Sequence, residues 1–410
     1  MKKTGFTTTA LNVPYAKKDP HNALQMPVYE TIAYEFDSAE QIEANFKGDY
    51  IAHVYSRTSS PTVEYFELKL KALTQSHGVL ALSSGMAAIT NTLMALTKTG
   101  DNIISGNRLF GHTYALFQQT LPELGIETRF SDLSDEAAIE LLIDKYTRAI
   151  YFETVTNPQL DIADIEMLSR IAKKHNLPLI ADSTITPPNV FNAGKFGVNI
   201  EVMSTTKFIS GGATSFGGAI VDHGNFNWKL SPNISAYTGK FGVNAFIGKL
   251  RKNIYRNTGA SMTAQTARFQ IHGLDILELR VEKCYQNCLA LGAFLSGHPM
   301  VKKVSYPGLE TDPGYANAQK YFNGIPGTIM SFELESKAAC YSFMNRLQLI
   351  RRATNLNDNK SLILHPFSTI YAEFTAEEKA NVGINDRMMR LSVGIENVDD
   401  IIRDIETALS

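Results

Sequence analysis

Short apolar runs separated by helical segments characterise the chain between about residues 78 and 222. Seven of these runs predict strands, and several are continuous instead of alternating, which is typical of strands covered on both faces. The alternation of strands with helices predicts an α/β fold with a mostly parallel, seven-stranded sheet. The runs are VLALSS (79–84), NIISG (102–106), ETRFSD (127–132), AIYFET (149–154), LPLIAD (177–182), IEVMST (200–205) and GGAIVD (217–222).

One of the intervening segments, DIADIEMLSRIAKKHN (161–176), has the spacing of an amphipathic helix. Lys173 and Lys174 lie in its closing turn, where they complement the helix dipole. Such helices are predicted to cover both faces of the sheet. The apolar face is predicted to contain Ile162, Ile165, Leu168, Ile171 and Ala172.

The pattern changes after about residue 255. A long helix is predicted over DILELRVEKCYQNCLALGAFLSG (275–297) and a closing helix near 397–409, with the strand candidates VKKVSYPG, GTIMSFELE, SLILHP and RLSVG between them. These segments predict a smaller C-terminal α/β domain with an antiparallel sheet. The first sixty residues are rich in loops and read as an arm that packs on another surface. The predicted division is an arm at 1–60, a main domain at 61–255 and a C-terminal domain at 256–410.

Composition points to small-molecule chemistry. The 410 residues contain 39 Lys and Arg against 41 Asp and Glu, so no strong field suggests nucleic acid or an anionic membrane as partner. No apolar run approaches the roughly 18 residues of a membrane span. The start MKKTGFTTTALNVPYA lacks the apolar core of a signal peptide. We therefore expect a cytoplasmic protein.

The cysteines and histidines predict no metal site. Cys284 and Cys288 lie four residues apart in a predicted helix without a second ligand pair, which favours buried thiols over metal binding or a disulfide. The histidines are scattered and form no HExxH pair.

A lone lysine, Lys207, lies where an apolar run gives way to hydroxyls and glycines in STTKFISGGATSFGG (204–218). It could be a surface lysine beside a glycine turn. It could also complete an SxxK acyl-enzyme motif with Ser204, but the KTG at 98–100 lies upstream, no SDN occurs, and the serine ends a strand. The third interpretation is a Schiff-base lysine for pyridoxal 5′-phosphate (PLP), which requires several independent supporting residues.

Those supports are found in three other segments. Asp182 ends LPLIAD, so it should share a sheet edge with Lys207 and could keep the pyridine nitrogen protonated, although alone it could equally cap the next segment. SSGM (83–86) opens a helix whose free N–H groups favour a phosphate, with hydroxyls on Ser204 and Thr206. Phe110 follows a strand and could stack on the ring, although a core phenylalanine would look the same.

The order of these motifs resembles the Cys/Met-metabolism family of PLP-dependent enzymes, which includes cystathionine γ-synthase, cystathionine lyases, methionine γ-lyase and homoserine-ester sulfhydrylases. The resemblance covers essentially the whole chain and implies the fold-type I architecture of PLP-dependent transferases. It rests on VYSRTSSPT (54–62), SSGMAA (83–88), LFGHT (109–113), FETVTNP (152–158), LIADST (179–184), MSTTKFISGG (203–212) and RLSVGIENVDDI (390–401).

The resemblance implies a role for each candidate residue. Lys207 would bind PLP as a Schiff base and move protons, Asp182 would pair with the pyridine nitrogen, and Phe110 would stack on the ring. The expected phosphate ligands are Ser84, Gly85, Met86, Ser204 and Thr206, joined by Tyr55 and Arg57 from the neighbouring subunit. The expected substrate ligands are Arg390, which would clamp the α-carboxylate, together with Asn157, Asn355 and Tyr55, the last also counted as catalytic. In isolation, Arg390 could form a surface salt bridge and Asn157 could be a turn residue.

Three positions depart from the family pattern. Phe110 stands where most members have tyrosine, so stacking is retained while proton transfer by that hydroxyl is lost. Ser60 replaces the usual asparagine before Pro61. His112 occupies a loop position more often held by glycine or cysteine; it could titrate near the leaving group or simply face solvent.

Within the family, the chain most resembles O-acetylhomoserine sulfhydrylases, through residues 31–46, 217–228, 267–287 and 354–366. The expected reaction makes homocysteine and acetate from O-acetylhomoserine and sulfide. The alternatives are methionine γ-lyase, cystathionine γ-synthase or lyase, O-succinylhomoserine sulfhydrylase, and a non-catalytic binding module. The resemblance also implies a homotetramer, a dimer of dimers with active sites shared between subunits. Whether sulfide arrives free or from a donor protein stays open.

Overall fold

The computed structural model describes residues 4–15 and 19–410 and contains two β-sheets. The larger sheet has the order β1-β7-β6-β5-β4-β2-β3 for the strands β1 (Gly78–Leu82), β2 (Asn102–Gly106), β3 (Glu127–Ser131), β4 (Thr147–Glu153), β5 (Leu179–Asp182), β6 (Ile200–Met203) and β7 (Gly218–Asp222). Strand β7 is antiparallel to both neighbours, and the other pairs are parallel. The predicted α/β fold and its mostly parallel, seven-stranded sheet are confirmed, with each strand ending within two residues of its expected limits.

Helices cover both faces of the large sheet, which explains the continuous apolar runs. Neighbouring residues of one strand enter different cores: Tyr151 packs in the core that contains α4 and α10 residues, whereas Phe152 packs in the core of α3, α8 and α12. Because successive side chains of a strand point to opposite faces, a strand buried on both sides needs no polar positions. The helices among the described residues are α1 (Phe6–Leu11), α2 (Ala39–Lys47), α3 (Pro61–Thr74), α4 (Gly85–Leu96), α5 (Gly111–Ala115), α6 (Leu121–Glu123), α7 (Glu136–Leu141), α8 (Ile165–Lys174), α9 (Thr238–Phe241), α10 (Ala245–Lys249), α11 (Tyr255–Thr258), α12 (Ala264–Asp275), α13 (Leu277–Gly297), α14 (Tyr315–Phe322), α15 (Lys337–Arg346), α16 (Ala376–Asn381) and α17 (Val398–Leu409).

Helix α8 begins later than its periodicity predicts. The Asp164 side chain accepts a hydrogen bond from the Met167 N–H at 3.1 Å and so caps the helix at Ile165. Ile162 precedes this cap and forms a bridge with Val155. The prediction that Ile162 lies on the helical face is therefore wrong, because the Asp164 cap starts the helix three residues after Ile162.

The smaller sheet lies wholly after residue 300. Its order is β10-β11-β12-β9-β8 for the strands β8 (Lys303–Ser305), β9 (Ile329–Glu333), β10 (Arg351–Arg352), β11 (Leu362–Leu364) and β12 (Met388–Ser392). The pairs are antiparallel except β10 with β11. The second, smaller sheet is confirmed, whereas β10, two exposed arginines, carried no apolar signal. Cys284 and Cys288 on α13 are buried free thiols, as predicted.

The N-terminal arm has almost no core. Among residues 4–15 and 19–59, Ala10 is the one buried apolar residue, whereas Leu24, Phe46 and Ile51 are strongly exposed. In the parts of the chain that the structure describes, residues 4–15 and 19–410, none of the helices has the length and apolar character of a membrane span.

Candidate active site

The candidate site lies at the carboxyl edge of the large sheet. Asp182 is the last residue of β5, and the adjacent parallel strand β6 ends at Met203, shortly before Lys207. The connection between these strands contains a short 3₁₀ turn, Ala193–Phe196, in place of the α-helix of a regular βαβ unit. Because the strands are parallel and adjacent, Asp182 and Lys207 nevertheless emerge at the same edge.

Both residues line a cavity of about 350 Å³. The cavity wall brings together most of the residues that the sequence singled out. These are Ser84, Gly85, Met86, Phe110, His112, Asn157, Asp182, Ser204, Thr206, Lys207 and Arg390.

The Lys207 amine is held by a neighbouring asparagine side chain. Its Nζ donates a hydrogen bond to Oδ1 of Asn355 at 2.9 Å. Desolvation by the surrounding protein and the nearby Arg390 lower the pKa of Lys207 to about 8, against a smaller opposing effect of Asp358. The amine therefore reaches its nucleophilic, uncharged form much closer to neutral pH than an ordinary lysine.

Arg390 lies on β12, lines the cavity and has one unpaired guanidinium nitrogen. It is buried, its Nη1 donates to Oδ1 of Asn157 at 3.1 Å, and its Nη2 donates to the Asn355 carbonyl at 3.0 Å. Its Nε has no hydrogen-bond partner among the described residues. Burial lowers the pKa of Arg390 to about 10. A buried guanidinium that lacks a carboxylate partner fits an anionic ligand, and its burial excludes the surface salt bridge.

The start of α4 fits a phosphate group. Ser84 is the N-cap, and its Oγ accepts the Ala87 N–H at 3.0 Å, which leaves the Gly85 and Met86 N–H groups without intrahelical partners. A Cβ on Gly85 would lie 2.6 Å from the Cβ of Ser204. Only glycine allows this helix to start so close to the strand end that carries Lys207.

The hydroxyl and glycine residues around Lys207 also allow close contacts between backbone segments. The Thr206 hydroxyl donates to the Gly217 carbonyl at 3.2 Å and accepts the Gly217 N–H at 3.0 Å. A Cβ on Gly218 would lie 2.0 Å from the Ser84 carbonyl oxygen, so this glycine allows β7 to pass the start of α4. Gly211 has a φ of 82°, the left-handed region that favours glycine.

Asp182 and Phe110 fit a cationic aromatic ring. The Asp182 carboxylate accepts the Thr184 N–H at 3.0 Å and the Tyr151 hydroxyl at 3.2 Å, and no helix follows for it to cap. Burial raises the pKa of Asp182, an effect that a nearby ring cation would offset. Phe110 also lines the cavity, and its ring lies 5.1 Å from the exposed ring of His112, at 67°.

Three predicted residues lie outside the wall of this cavity. Tyr55 is 44% exposed, and Arg57 lies 5.6 Å from its ring centroid while Nη1 of Arg57 donates to the Arg256 carbonyl at 2.6 Å. Asn355 does not line the cavity but contacts two residues that do, Lys207 and Arg390.

Two functional candidates were missed by the sequence reasoning. Glu153 ends β4 and lines the cavity; an acid at the end of the predicted strand AIYFET was the same signal that identified Asp182. Tyr371 is buried, and its hydroxyl lies 3.0 Å from the Leu109 carbonyl and 3.1 Å from the Asn157 carbonyl. No local pattern links Tyr371 to segments more than 200 residues away.

Known proteins share this chain's sequence and fold over nearly its whole length. Residues 7–410 match the family model of Cys/Met metabolism PLP-dependent enzymes. An L-methionine γ-lyase from Fusobacterium nucleatum is 38% identical and spans 100% of this chain and 99% of its own. The O-acetylhomoserine (thiol)-lyase structure from Campylobacter jejuni, which contains a pyridoxyl-lysine phosphate, is 34% identical with a TM-score of 0.96, covering 99% of this chain and all of its own.

The O-acetylhomoserine sulfhydrylase of the Wolinella succinogenes methionine biosynthetic pathway is 43% identical, with a TM-score of 0.81 over 99% of this chain and all of its own. These similarities confirm the fold-type I architecture and the PLP cofactor. This chain belongs to the Cys/Met-metabolism family of PLP-dependent enzymes.

Proposed function

We propose that this protein makes homocysteine and acetate from O-acetylhomoserine and sulfide by a PLP-dependent γ-replacement. The observation that carries the proposal is that Arg390, a buried guanidinium with no carboxylate partner and an unpaired Nε, lines the same small cavity as Lys207. Together they fit an amino-acid substrate whose carboxylate is clamped while its carbon skeleton lies beside a base. The two solved structures described above, both of which carry names that refer to O-acetylhomoserine, support this choice.

The residues of the cavity wall would hold PLP at defined points. Bound PLP supplies an electron sink for the substrate carbon that carries the amino group. Asp182 would hold the ring nitrogen in its protonated form, and Phe110 would cover one ring face. The phosphate would lie at the start of α4, bound by Ser84, Gly85, Met86, Ser204 and Thr206.

Lys207 would move the protons of the reaction. A γ-replacement requires loss of a proton first from Cα and then from Cβ, so that acetate can leave from Cγ. One amine that reaches both carbons can carry out both steps if it is uncharged near neutral pH, which its pKa of about 8 allows. The Asn355 side chain holds that amine through a hydrogen bond.

Arg390 would orient the substrate. Asn157 and the Asn355 carbonyl each hold one end of its guanidinium, so the fork is fixed before substrate arrives. A planar guanidinium binds a carboxylate with two parallel hydrogen bonds, which a lysine could not reproduce.

The charged and apolar residues that line the cavity favour a small nucleophile. The Lys and Arg side chains among its described lining residues are Lys207 and Arg390, and both already have roles. A cysteine acceptor would bring a second carboxylate without a matching cation. Much of the remaining wall is apolar, including Ile89, Val155 and Leu356, and suits sulfide. Methionine γ-lyase activity is the second candidate, favoured by the 38% identity to such a lyase.

We also propose that the arm, residues 1–60, completes the site of a second copy. Tyr55 and Arg57 lie outside their own cavity, and Leu24, Phe46 and Ile51 expose apolar surface that a partner subunit would bury. The expected assembly is a homotetramer built as a dimer of dimers, with the cofactor domain at 61–255 and the C-terminal domain at 256–410.

Product analysis tests the activity directly. O-acetylhomoserine, O-succinylhomoserine, cystathionine and methionine are supplied separately to the PLP-loaded enzyme, each with and without sulfide, methanethiol or cysteine, and products are identified by mass. We expect homocysteine and acetate from O-acetylhomoserine plus sulfide. If that mixture gives no homocysteine while methionine alone gives a keto acid, the lyase is the correct function.

A further inference from the structure

A second buried carboxyl group lies beside Asp182. Glu153 is the last residue of β4, and the register of the sheet pairs it directly with Asp182 at the end of β5. Both side chains line the active cavity, and Glu153 is only 7% exposed. Carboxyl groups are rarely buried without a partner, so this one requires an explanation.

Nearby cations do not neutralise Glu153. On its far side, Glu153 also lines a second cavity of about 240 Å³, where Arg108 pairs instead with Asp161 at 2.6 Å. In the active cavity, Lys207 donates a hydrogen bond to Asn355 and Arg390 donates one to Asn157. Among the described residues, Glu153 takes part in no ion pair.

The hydrogen bonds of Glu153 instead connect two loops of the active site. Its Oε1 accepts the backbone N–H of Phe110 at 2.7 Å, and the backbone N–H of Asn157 also interacts with this carboxyl. The Tyr371 hydroxyl contacts the backbone carbonyls of Leu109 and Asn157. Glu153 and Tyr371 therefore hold the same two segments, one through N–H groups and one through carbonyls.

Burial and neighbouring charge favour the protonated form more strongly at Glu153 than at Asp182. Burial, and then the negative charge of Asp182, raise the pKa of Glu153 well above its usual range. The Phe110 and Asn157 N–H groups stabilise the Glu153 anion, but the charge of Asp182 opposes it. The Asp182 anion is stabilised by the Thr184 N–H and by the Tyr151 hydroxyl. Burial raises the pKa of that Tyr151 hydroxyl strongly, so it stays protonated and donates.

We propose that Glu153 is a positioning residue that acts as a neutral carboxylic acid. It holds the Phe110 backbone so that the ring keeps its place over the cofactor, and it holds the Asn157 backbone so that the amide side chain keeps its contact with Arg390. Its neutrality leaves the negative charge of the pair on Asp182, next to the ring nitrogen. This inference rests on the cofactor site of the proposed function and is independent of the nucleophile used.

Matched substitutions at Glu153 test the proposal. Glu153→Gln keeps the shape and the oxygen acceptor but cannot ionise, whereas Glu153→Ala removes the acceptor; Asp182→Asn is the charge control. The measurements are the dissociation constant for PLP, by titration of the apoenzyme, and the visible circular dichroism of the bound cofactor, which reports how the ring is held. Steady-state kinetics then separate KM from kcat.

We expect Glu153→Gln to bind PLP within about twofold of wild type and to keep its visible dichroism, because a neutral acceptor is sufficient. Glu153→Ala should weaken PLP binding about tenfold, reduce the dichroism and raise KM for the amino-acid substrate more than it lowers kcat. Asp182→Asn should lose PLP affinity although its shape is conserved.

Two results would overturn the proposal. If Glu153→Gln is as defective as Glu153→Ala, the residue works as an anion; if Glu153→Ala binds PLP with wild-type affinity and dichroism, it positions nothing. Should Glu153→Ala fail to fold, Glu153→Gln still decides whether a neutral side chain is sufficient. PLP binding and dichroism need no turnover, so an enzyme that proved to be a lyase would leave this test intact.

Discussion

Lys207 is expected to react as a free amine at a much lower pH than ordinary lysines do. Its pKa is lowered from 10.5 to about 8, which corresponds to about 3 kcal/mol between its two protonation states. At pH 7.5, roughly a quarter of such amines are uncharged, compared with about one in a thousand for an unshifted lysine. The reactive fraction is therefore more than a hundredfold larger, by order of magnitude.

Two substitutions separate the causes of this lowered pKa. Arg390→Met removes the neighbouring cation and should raise the pKa of Lys207, whereas Asp358→Asn removes the opposing negative charge and should lower it further. Desolvation is the larger cause, so the Lys207 pKa in Arg390→Met should still lie below that of a solvent-exposed lysine.

The assay labels the apoenzyme with an amine-reactive reagent across a pH series and quantifies modified Lys207 by mass spectrometry. Exposed lysines in the same digest serve as the internal reference. A labelling midpoint near 8 that moves in opposite directions in the two variants is the expected result. A wild-type midpoint that coincides with the exposed lysines would refute the burial argument, and an unchanged midpoint in Arg390→Met would refute the role of that cation.

Three further predictions concern stability, the phosphate site and assembly. Burial raises the pKa of Asp222 to about 6, so the folded state binds this proton more tightly and stability is lost as pH rises from about 4 to above 6. Asp222→Asn should therefore increase the free energy of unfolding at pH 8 by about 2–3 kcal/mol in denaturant titrations, with little gain at pH 4. Gly85→Ala should weaken PLP binding at least tenfold in apoenzyme titrations, because its Cβ has no room, whereas Gly239→Ala, which meets open space, should bind PLP normally. Mixing and reassembling inactive Arg57→Ala and Lys207→Ala subunits should restore part of the activity if sites are shared, and no recovery would contradict the shared site.

Local sequence was sufficient for most of the elements and for much of the site. The seven strands could be predicted because a strand buried on both faces must be apolar throughout, and that requirement is local. Asp182 and Lys207 could be paired because parallel strands leave the sheet at one edge. Helix α4, which Ser84 caps, was predictable because its cap follows a predicted strand directly in the sequence.

Long-range packing decided the remainder. Three features depend on which elements become neighbours. Strand β7 lies between β1 and β6, and Asn157 and Asn355 accept hydrogen bonds from Arg390. Glu153 is paired with Asp182 in the sheet. That choice follows from how buried faces fit together, which no short window of residues records. The sequence by itself determined the family, the cofactor lysine and its aspartate; only the tertiary structure decided which of two adjacent carboxyl groups stays neutral, because burial and neighbouring charge set that proton.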